Sequence, residues 1–97
     1  MLNLFIDMTS QPSRAVLTFV KINSAKIGPW KSNPLNLAKG HQNTPEMLKI
    51  NPDAKVPFMQ DSDGFNLAES HAMMKYLCYS RNLPEHWYPR NIENLKL

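Results

Sequence analysis

Three residues of the sequence are placed where they could bind or activate a small anionic ligand, namely Ser10, Glu69 and Ser70. Each lies where a strand-like pattern gives way to a helix-like one, and the first N–H groups of a helix attract anions. A hydroxyl in such a place can instead simply cap the helix by accepting a backbone hydrogen bond. The dipeptide Val56-Pro57 comes directly before another predicted strand. Capping and ligand binding both remain open from these residues alone.

Metal and thiol chemistry have weaker support. His41, His71 and His86 lack the spacing of metal ligands, so no metal site is predicted. The single cysteine, Cys78, excludes an internal disulfide framework and a cysteine-built zinc site. Its place in a predicted helix favours a buried apolar role. A disulfide exchanger of the glutaredoxin type would need a cysteine near Ser10, and the sequence has none there.

The first elements that must position these residues are a strand and a helix. Residues 1–8 alternate apolar and polar side chains, as a half-buried strand does. Ser10-Gln11-Pro12-Ser13 then indicates a helix start, because proline suits the first helical turn. The apolar residues that follow at helical spacing, and are predicted to face the core, are Ala15, Val16, Phe19, Val20 and Ile22.

The remaining pattern is less regular. Residues 23–36 read as a loop, followed by a short edge strand near Leu35–Leu37, because two Gly/Asn-Pro pairs interrupt the segment. A short helix is predicted from Thr44 to Ile50, and a β-hairpin around the turn at residues 61–64. The last helix, residues 69–79, would bury some of Ala72, Met73, Tyr76 and Leu77.

This order predicts an α/β domain of the thioredoxin-like type, βαβαββα, with a mixed four-stranded sheet flanked by helices. In that plan the three loops that carry Ser10, Val56-Pro57 and Glu69-Ser70 converge at one end of the sheet. We therefore expect these residues to share a site.

Size and charge narrow the function classes. A chain of 97 residues forms one domain, and no apolar run approaches the ~18 residues of a membrane-spanning helix. The net charge is +3, but the Lys and Arg residues are scattered, which favours a solvated surface over a nucleic-acid interface. The N-terminus lacks the pattern of a secretory signal, so we expect a reducing intracellular compartment, cytoplasmic or mitochondrial, and no secretion.

Five segments between residues 2 and 90 resemble the N-terminal half of a theta-class glutathione transferase, in the family's order and close to its spacing. They are F-I-D-M-T-S-Q-P-S-R-A at residues 5–15, the stretch from Lys39-Gly40-His41 to Asn51, Lys55-Val56-Pro57, Leu67-Ala68-Glu69-Ser70 and His86-Trp87-Tyr88-Pro89. Each is weak alone, whereas five in register are specific. The resemblance implies a glutathione-binding domain at residues 1–89 and a short tail at residues 90–97.

The resemblance also implies a catalytic role for Ser10, whose hydroxyl would point at the sulfur of glutathione. A hydroxyl that donates to a thiolate favours the charged form, and such a bond contributes ~1.5–3 kcal/mol. A thiol pKa of ~8.5 would fall by about one to two units. The resulting thiolate could attack an electrophile at neutral pH.

The other implied glutathione contacts come from the remaining motifs. The backbone of Val56 would pair with the cysteinyl part of glutathione, next to a cis Pro57. Glu69 and Ser70 would hold the γ-glutamyl amine and carboxylate. The full set of implied glutathione-binding residues is His41, Gln42, Lys55, Val56, Pro57, Glu69 and Ser70.

Two departures from the family pattern affect this site. The glycine-facing histidine of the family aligns with Gln42, while His41 stands one position earlier, so the loop is shifted or that contact is weakened. The preceding segment is longer than usual and carries Pro29 and Pro34, so we expect a degraded second strand.

Two functions are compatible with these features. In full-length transferases an all-helical domain follows the Trp-Tyr-Pro linker and supplies most of the electrophile pocket, whereas here residues 90–97 follow it. The preferred hypothesis is an accessory subunit of a larger assembly, with a retained or vestigial glutathione site and with partner chains on the uncovered apolar face. The alternative is a glutathione transferase whose helical half is supplied by another chain or is missing from this sequence. Enzymatic activity therefore stays open, with glutathione as the expected ligand and no metal.

Overall fold

Four strands form one mixed sheet in the order β2-β1-β3-β4 in the computed structural model, which describes residues 1–84. Strand β1 pairs with β2 in parallel and with β3 antiparallel, and β3 pairs with β4 antiparallel. The predicted α/β class and the mixed four-stranded sheet are confirmed. The elements are, in chain order, β1 (Leu2–Ile6), α1 (Gln11–Ile22), α2 (Ser24–Ile27), β2 (Trp30–Pro34), α3 (Pro45–Ile50), β3 (Phe58–Gln60), β4 (Asn66–Ala68) and α4 (Ser70–Ser80).

The core lies between the sheet and the helices α1 and α4. Leu2, Leu4 and Ile6 project from one face of β1 and are almost fully buried, as their alternation predicted. On the opposite face Phe5 stacks on Phe58 of β3, with ring centroids 4.7 Å apart. Since β1 has buried side chains on both of its faces, the strand is held firmly in the sheet. It therefore fixes the start of the following loop, which carries Ser10.

Helix α1 buries a face that is shifted around its axis from the predicted one, since Ser13 and Leu17 are buried as well. Val16, Phe19 and Val20 are buried as expected, whereas Ala15 and Ile22 are exposed, Ile22 by 60%. Ile22 lies two residues beyond Val20 and hence roughly 200° around the helix axis, away from the sheet. The prediction that Ala15 and Ile22 belong to the core was therefore wrong.

Strand β2 lies earlier than predicted, at Trp30–Pro34 instead of near Leu35–Leu37. All five residues are in register with β1, from Leu2 opposite Trp30 to Ile6 opposite Pro34, so the strand is not degraded. Proline is tolerated because β2 is an edge strand and Pro34 is its last residue. The side chains of β2 do not alternate in polarity. The strand forms because its backbone pairs with that of β1.

The single-turn helix α2 was not predicted. It follows Asn23, whose carbonyl accepts from the backbone N–H groups of Lys26 and Ile27. It ends at Gly28, which has φ 87°, a conformation that favours glycine. Ile27 is buried against the core, which shows why the turn forms in a segment read as a loop.

Helix α4 begins at Ser70 and packs Met73 and Leu77 into the core. Ala72 and Tyr76 are only partly buried, while Cys78 is 1% exposed, in accord with its predicted apolar role. Within residues 1–84 no helix combines the length and apolar character needed to cross a membrane. The motif at residues 86–89, the domain boundary at residue 89 and the tail at residues 90–97 lie outside the described residues.

Candidate functional site

A pocket of about 340 Å³ opens where the loop before β3 meets the start of α4. This volume falls within the range of small-molecule sites, ~300–1,000 Å³. Five sequence-predicted ligand residues line it together: Lys55, Val56, Pro57, Glu69 and Ser70. The structure adds Pro12, Asp53 and Ala68, which sequence reasoning had not selected. Residues separated by more than forty positions in the chain therefore meet at one end of the sheet, as the topology predicted.

The first turn of α4 faces this pocket with its backbone N–H groups available. Glu69, the residue before the helix, has φ 74° and ψ 118°, a conformation that residues with a side chain rarely adopt. Within the described chain no side chain caps the start of α4. Uncapped N–H groups beside the Ser70 hydroxyl are groups that can donate to an anion. A non-glycine residue at such a backbone angle is typical of functional sites, which supports a ligand role for Glu69.

The loop from residue 51 to residue 57 brings charged groups and an exposed backbone to the other side of the pocket. Asn51 is buried, and its side-chain amide donates to the carbonyl oxygen of Lys55 at 2.8 Å. This bond shapes the turn one residue before Val56. The Val56-Pro57 peptide bond is cis, which confirms the expectation from the resemblance. Asn51 was read as the end of a helix, so its positioning role was missed.

The charges around the pocket suit a ligand with an amine and a carboxylate. Asp53 and Glu69 supply negative charge, whereas Lys55 and the N-terminus of α4 supply positive charge. Such a mixture pairs with both ends of an α-amino acid group. The site therefore favours a zwitterionic ligand over a simple anion.

Ser10 caps α1, and this does not prevent it from serving a ligand. Its Oγ accepts from the backbone N–H of Ser13 at 3.2 Å, as a cap does. A hydroxyl also has one hydrogen to donate, and the cap leaves that hydrogen unused. Ser10 is partly exposed and lies two residues before Pro12, which lines the pocket. Ser10 itself does not line the pocket, and a contact of its hydroxyl with a bound ligand stays a prediction that the cap does not exclude.

The structure does not bring His41 and Gln42 into the pocket. His41 is exposed, and its Nδ1 accepts from the backbone N–H of Asn36 at 3.1 Å, so this nitrogen stabilises the local loop. Gln42 is half-buried, and its Oε1 has no hydrogen-bond partner among the described residues. A contact of either residue with the glycine end of a ligand stays a prediction.

Metal chemistry has no support from the described part of the chain. No group of three or more His, Cys, Asp or Glu side chains lies close enough together among residues 1–84 to hold a metal ion.

A second concave surface lies between α1 and α4. This α1–α4 groove has a volume of about 610 Å³ and a mostly apolar surface. The exposed Ile22 and Ala15, which were predicted to be core residues, lie in it beside Met74. The full lining is Gln11, Arg14, Ala15, Thr18, Phe19, Ile22, His71 and Met74.

Comparison with known proteins identifies the family. Residues 10–79 match the model of the glutathione S-transferase N-terminal domain. Over 92 residues the chain is 38% identical to glutathione S-transferase theta-1 of Rattus norvegicus and 41% identical to theta-3 of Mus musculus. These matches cover 95% of this chain and 37% and 36% of the two relatives, so the chain spans just over a third of their length.

Solved structures agree with these matches. A crystal structure of human glutathione transferase theta-2 in complex with glutathione superposes with a TM-score of 0.84 and 42% identity, covering 94% of this chain and 36% of that one. An epsilon-class glutathione S-transferase from Musca domestica gives a TM-score of 0.81 at 33% identity, covering 96% of this chain and 41% of that one. The chain belongs to the glutathione S-transferase family and has the thioredoxin-like fold of its N-terminal domain, with theta-class relatives.

Proposed function

We propose that this chain is the glutathione-binding part of a transferase of the theta type, with its domain ending near residue 89. The observation that carries this proposal is the pocket in which Lys55, Val56, Glu69 and Ser70 surround the open start of α4. Although the sequence alone left open a vestigial site, the assembled and charged pocket supports a retained glutathione site. Binding of glutathione by the human theta-2 relative supports the same ligand here.

In the proposed complex each part of glutathione pairs with a matching group. The γ-glutamyl carboxylate accepts from Ser70 and the first N–H groups of α4, while its amine lies against Glu69. The backbone of Val56 pairs with the cysteinyl amide. This arrangement directs the cysteinyl sulfur toward the start of α1, where Ser10 lies.

The proposed reaction has two steps at that sulfur. The thiol first loses its proton to solvent, and the Ser10 hydroxyl donates to the thiolate and stabilises it. The thiolate electron pair then forms a carbon–sulfur bond with an electrophile, whose leaving group departs with its own electron pair. The positive end of α1 also stabilises the negative sulfur.

Titration of the chain with reduced glutathione tests the proposed ligand. We expect one saturable site by isothermal titration calorimetry, at micromolar to millimolar affinity. The absence of heat and of amide chemical-shift changes up to millimolar glutathione would refute the glutathione site. A titration with γ-glutamylcysteine, which lacks the glycine, measures how much the glycine end of the ligand contributes to binding.

Replacing Ser70 by alanine is expected to weaken glutathione binding by about 10- to 100-fold, because one hydrogen bond to the charged γ-glutamyl carboxylate is lost. Ser80→Ala is the matched control, since it makes the same substitution at the other end of α4, where the serine contacts Arg81. Its glutathione affinity should equal that of the wild type. Equal affinities for all three proteins would contradict the assigned role of Ser70.

A second candidate function, the accessory subunit, is favoured by the α1–α4 groove. Ile22 is 60% exposed on a mostly apolar surface, which is unfavourable in water and typical of a contact surface. Since the chain spans 36–37% of its theta-class relatives, the occupant we propose is an apolar helical surface equivalent to their remaining part. In this second case that surface belongs to another chain of a larger assembly.

The native mass of the endogenous protein separates the two candidates. The accessory role predicts elution in a large assembly on gel filtration, and a free monomer or simple dimer would exclude it. Ile22→Lys should weaken the association by about 10- to 100-fold, since one buried isoleucine contributes ~1.5–3 kcal/mol. Leu48→Lys on α3 is the control, because Leu48 is also exposed but lies outside the groove.

A further inference from the structure

We infer that Asp7 is a positioning residue that holds the Ser10 turn and the loop of residues 36–42 in a fixed relation across the glutathione site. This inference rests on the function proposed above and concerns a residue that does not line the pocket. Asp7 is the first residue after β1, and it is 9% exposed.

On the Ser10 side Asp7 makes three close contacts. Its Oδ1 accepts from both the backbone N–H and the hydroxyl of Thr9, each at 2.8 Å. Its backbone carbonyl accepts from the N–H of Ser10 at 2.9 Å. The turn from β1 into α1, including the residue proposed to face the sulfur, is therefore built around Asp7.

On the other side Asp7 reaches a loop thirty residues later in the chain. Its Oδ2 accepts from the backbone N–H of Leu37 at 2.9 Å. Leu37 follows Asn36, whose N–H donates to His41 and whose carbonyl accepts from the N–H of the same residue. The bond to Leu37 thus anchors the loop that ends at Gln42, the residue aligned with the family's glycine-facing histidine.

The charge state of Asp7 agrees with this role. The N–H of Leu37, followed by the N–H and hydroxyl of Thr9, lowers the pKa of the Asp7 carboxyl below its ordinary value. The carboxylate is therefore ionised at neutral pH, and each of its two oxygens serves a different loop.

The variant Asp7→Asn tests the bond to Leu37 separately from the bonds to Thr9. The asparagine amide has one oxygen that can accept hydrogen bonds, and its NH₂ group cannot accept from the N–H of Leu37. With Oδ1 still on Thr9, amide hydrogen exchange at Leu37 should accelerate by about three- to tenfold, and glutathione affinity should fall by a similar factor. Asp63→Asn is the matched control, since Asp63 accepts from the N–H of Phe65 in the distant hairpin turn. It should leave both quantities unchanged.

Leu37→Pro gives a second route that leaves Asp7 intact. Leu37 is the first residue of a short helical turn, where proline fits, so this variant removes the N–H donor with little strain. Leu37→Ala keeps the donor and controls for the lost side chain. Weaker glutathione binding in Leu37→Pro but not in Leu37→Ala supports the inference.

Two measurements, the glutathione affinity and the exchange rate at Leu37, distinguish failure of this inference from failure of the proposed function. Wild-type protein that binds no glutathione refutes the proposed function and the positioning role together, whereas the exchange rate at Leu37 still reports the bond itself. If the wild type binds and Asp7→Asn accelerates exchange at Leu37 without lowering affinity, the bond is merely structural and the inference is wrong. Unchanged exchange at Leu37 would also overturn it.

Discussion

Replacing Ser10 by alanine is expected to raise the pKa of the thiol of bound glutathione by about one to two units. The hydroxyl is the one side-chain donor that the proposed complex assigns to the sulfur, and a hydrogen bond to a charged acceptor contributes ~1.5–3 kcal/mol. At neutral pH the thiolate fraction, and with it the rate of attack on an electrophile, should therefore fall by about 8- to 25-fold. Titrating the thiolate by its ultraviolet absorbance measures this pKa directly and requires no electrophile site.

The cap that Ser10 provides to α1 has to be separated from its effect on the sulfur. Loss of an N-cap destabilises a protein by about 0.5–2 kcal/mol, so Ser10→Ala should also lower the free energy of unfolding. Thr44→Ala is the matched control, because Thr44 caps α3 by accepting from the N–H of Met47 at 3.4 Å. It should lower stability without changing the thiol pKa.

Threonine at position 10 retains both the acceptor and the donor and should restore most of the effect. An unchanged thiol pKa in Ser10→Ala, with glutathione bound and the fold intact, would show that Ser10 is only a cap. In that case the transferase proposal loses its catalytic residue, while the glutathione site remains.

The elements that could be predicted are those whose residue pattern lies within a short segment of the chain. The alternation of Leu2, Leu4 and Ile6 reports a strand because its two faces meet different surroundings. Thr44-Pro45 likewise predicts the start of α3, since the cap and the missing N–H are both local. The loops that meet at the pocket could be predicted because strand order decides which ends of the sheet they share.

The parts that were not predictable depend on distant partners. Strand β2 has no alternating pattern, and its ladder with β1 fixes its position. Ile22 fits a helical apolar stripe in sequence, yet the direction of the sheet decides which part of that stripe is covered. The bond from Asp7 to Leu37 joins two loops thirty residues apart, and neither segment has a residue pattern that predicts it. The backbone angle of Glu69 is similarly invisible in a sequence that places no glycine there.

The ion pair between Asp61 and Arg81 should give the largest effect on stability. Arg81 follows α4 and forms two hydrogen bonds, of 2.6 and 2.8 Å, with the Asp61 carboxylate in the β3–β4 turn. The hydroxyl of Tyr76 donates to the same carboxylate at 2.6 Å. The exposed fractions of the two ionic side chains are 17% for Arg81 and 5% for Asp61. The pair therefore joins the hairpin to the end of α4 in a place that water barely reaches.

Arg81→Met is expected to lower the free energy of unfolding by about 2–4 kcal/mol, because it leaves the Asp61 carboxylate buried without its cation. This estimate lies below the range for fully buried pairs because Arg81 keeps some contact with solvent. Chemical denaturation measures the loss. Arg14→Met is the matched control, since exposed Arg14 bonds the carbonyl of Met8 and should change stability little. The double variant Asp61→Asn/Arg81→Met should be more stable than Arg81→Met, as no charge then stays buried alone.

The same pair predicts how stability depends on pH. Hydrogen bonds from Arg81, assisted by Tyr76 and Ser62, hold the pKa of Asp61 well below its ordinary value of 3.8, although burial opposes this shift. Since the folded-state pKa is lowered, the contribution of the pair is complete above about pH 4 and is lost as the pH falls below that value. Arg81→Met should therefore flatten the stability profile between about pH 4 and pH 2 relative to the wild type. Parallel profiles for the two proteins would mean that Asp61 ionises without help from Arg81, and the pair would not account for the attachment of the hairpin to α4.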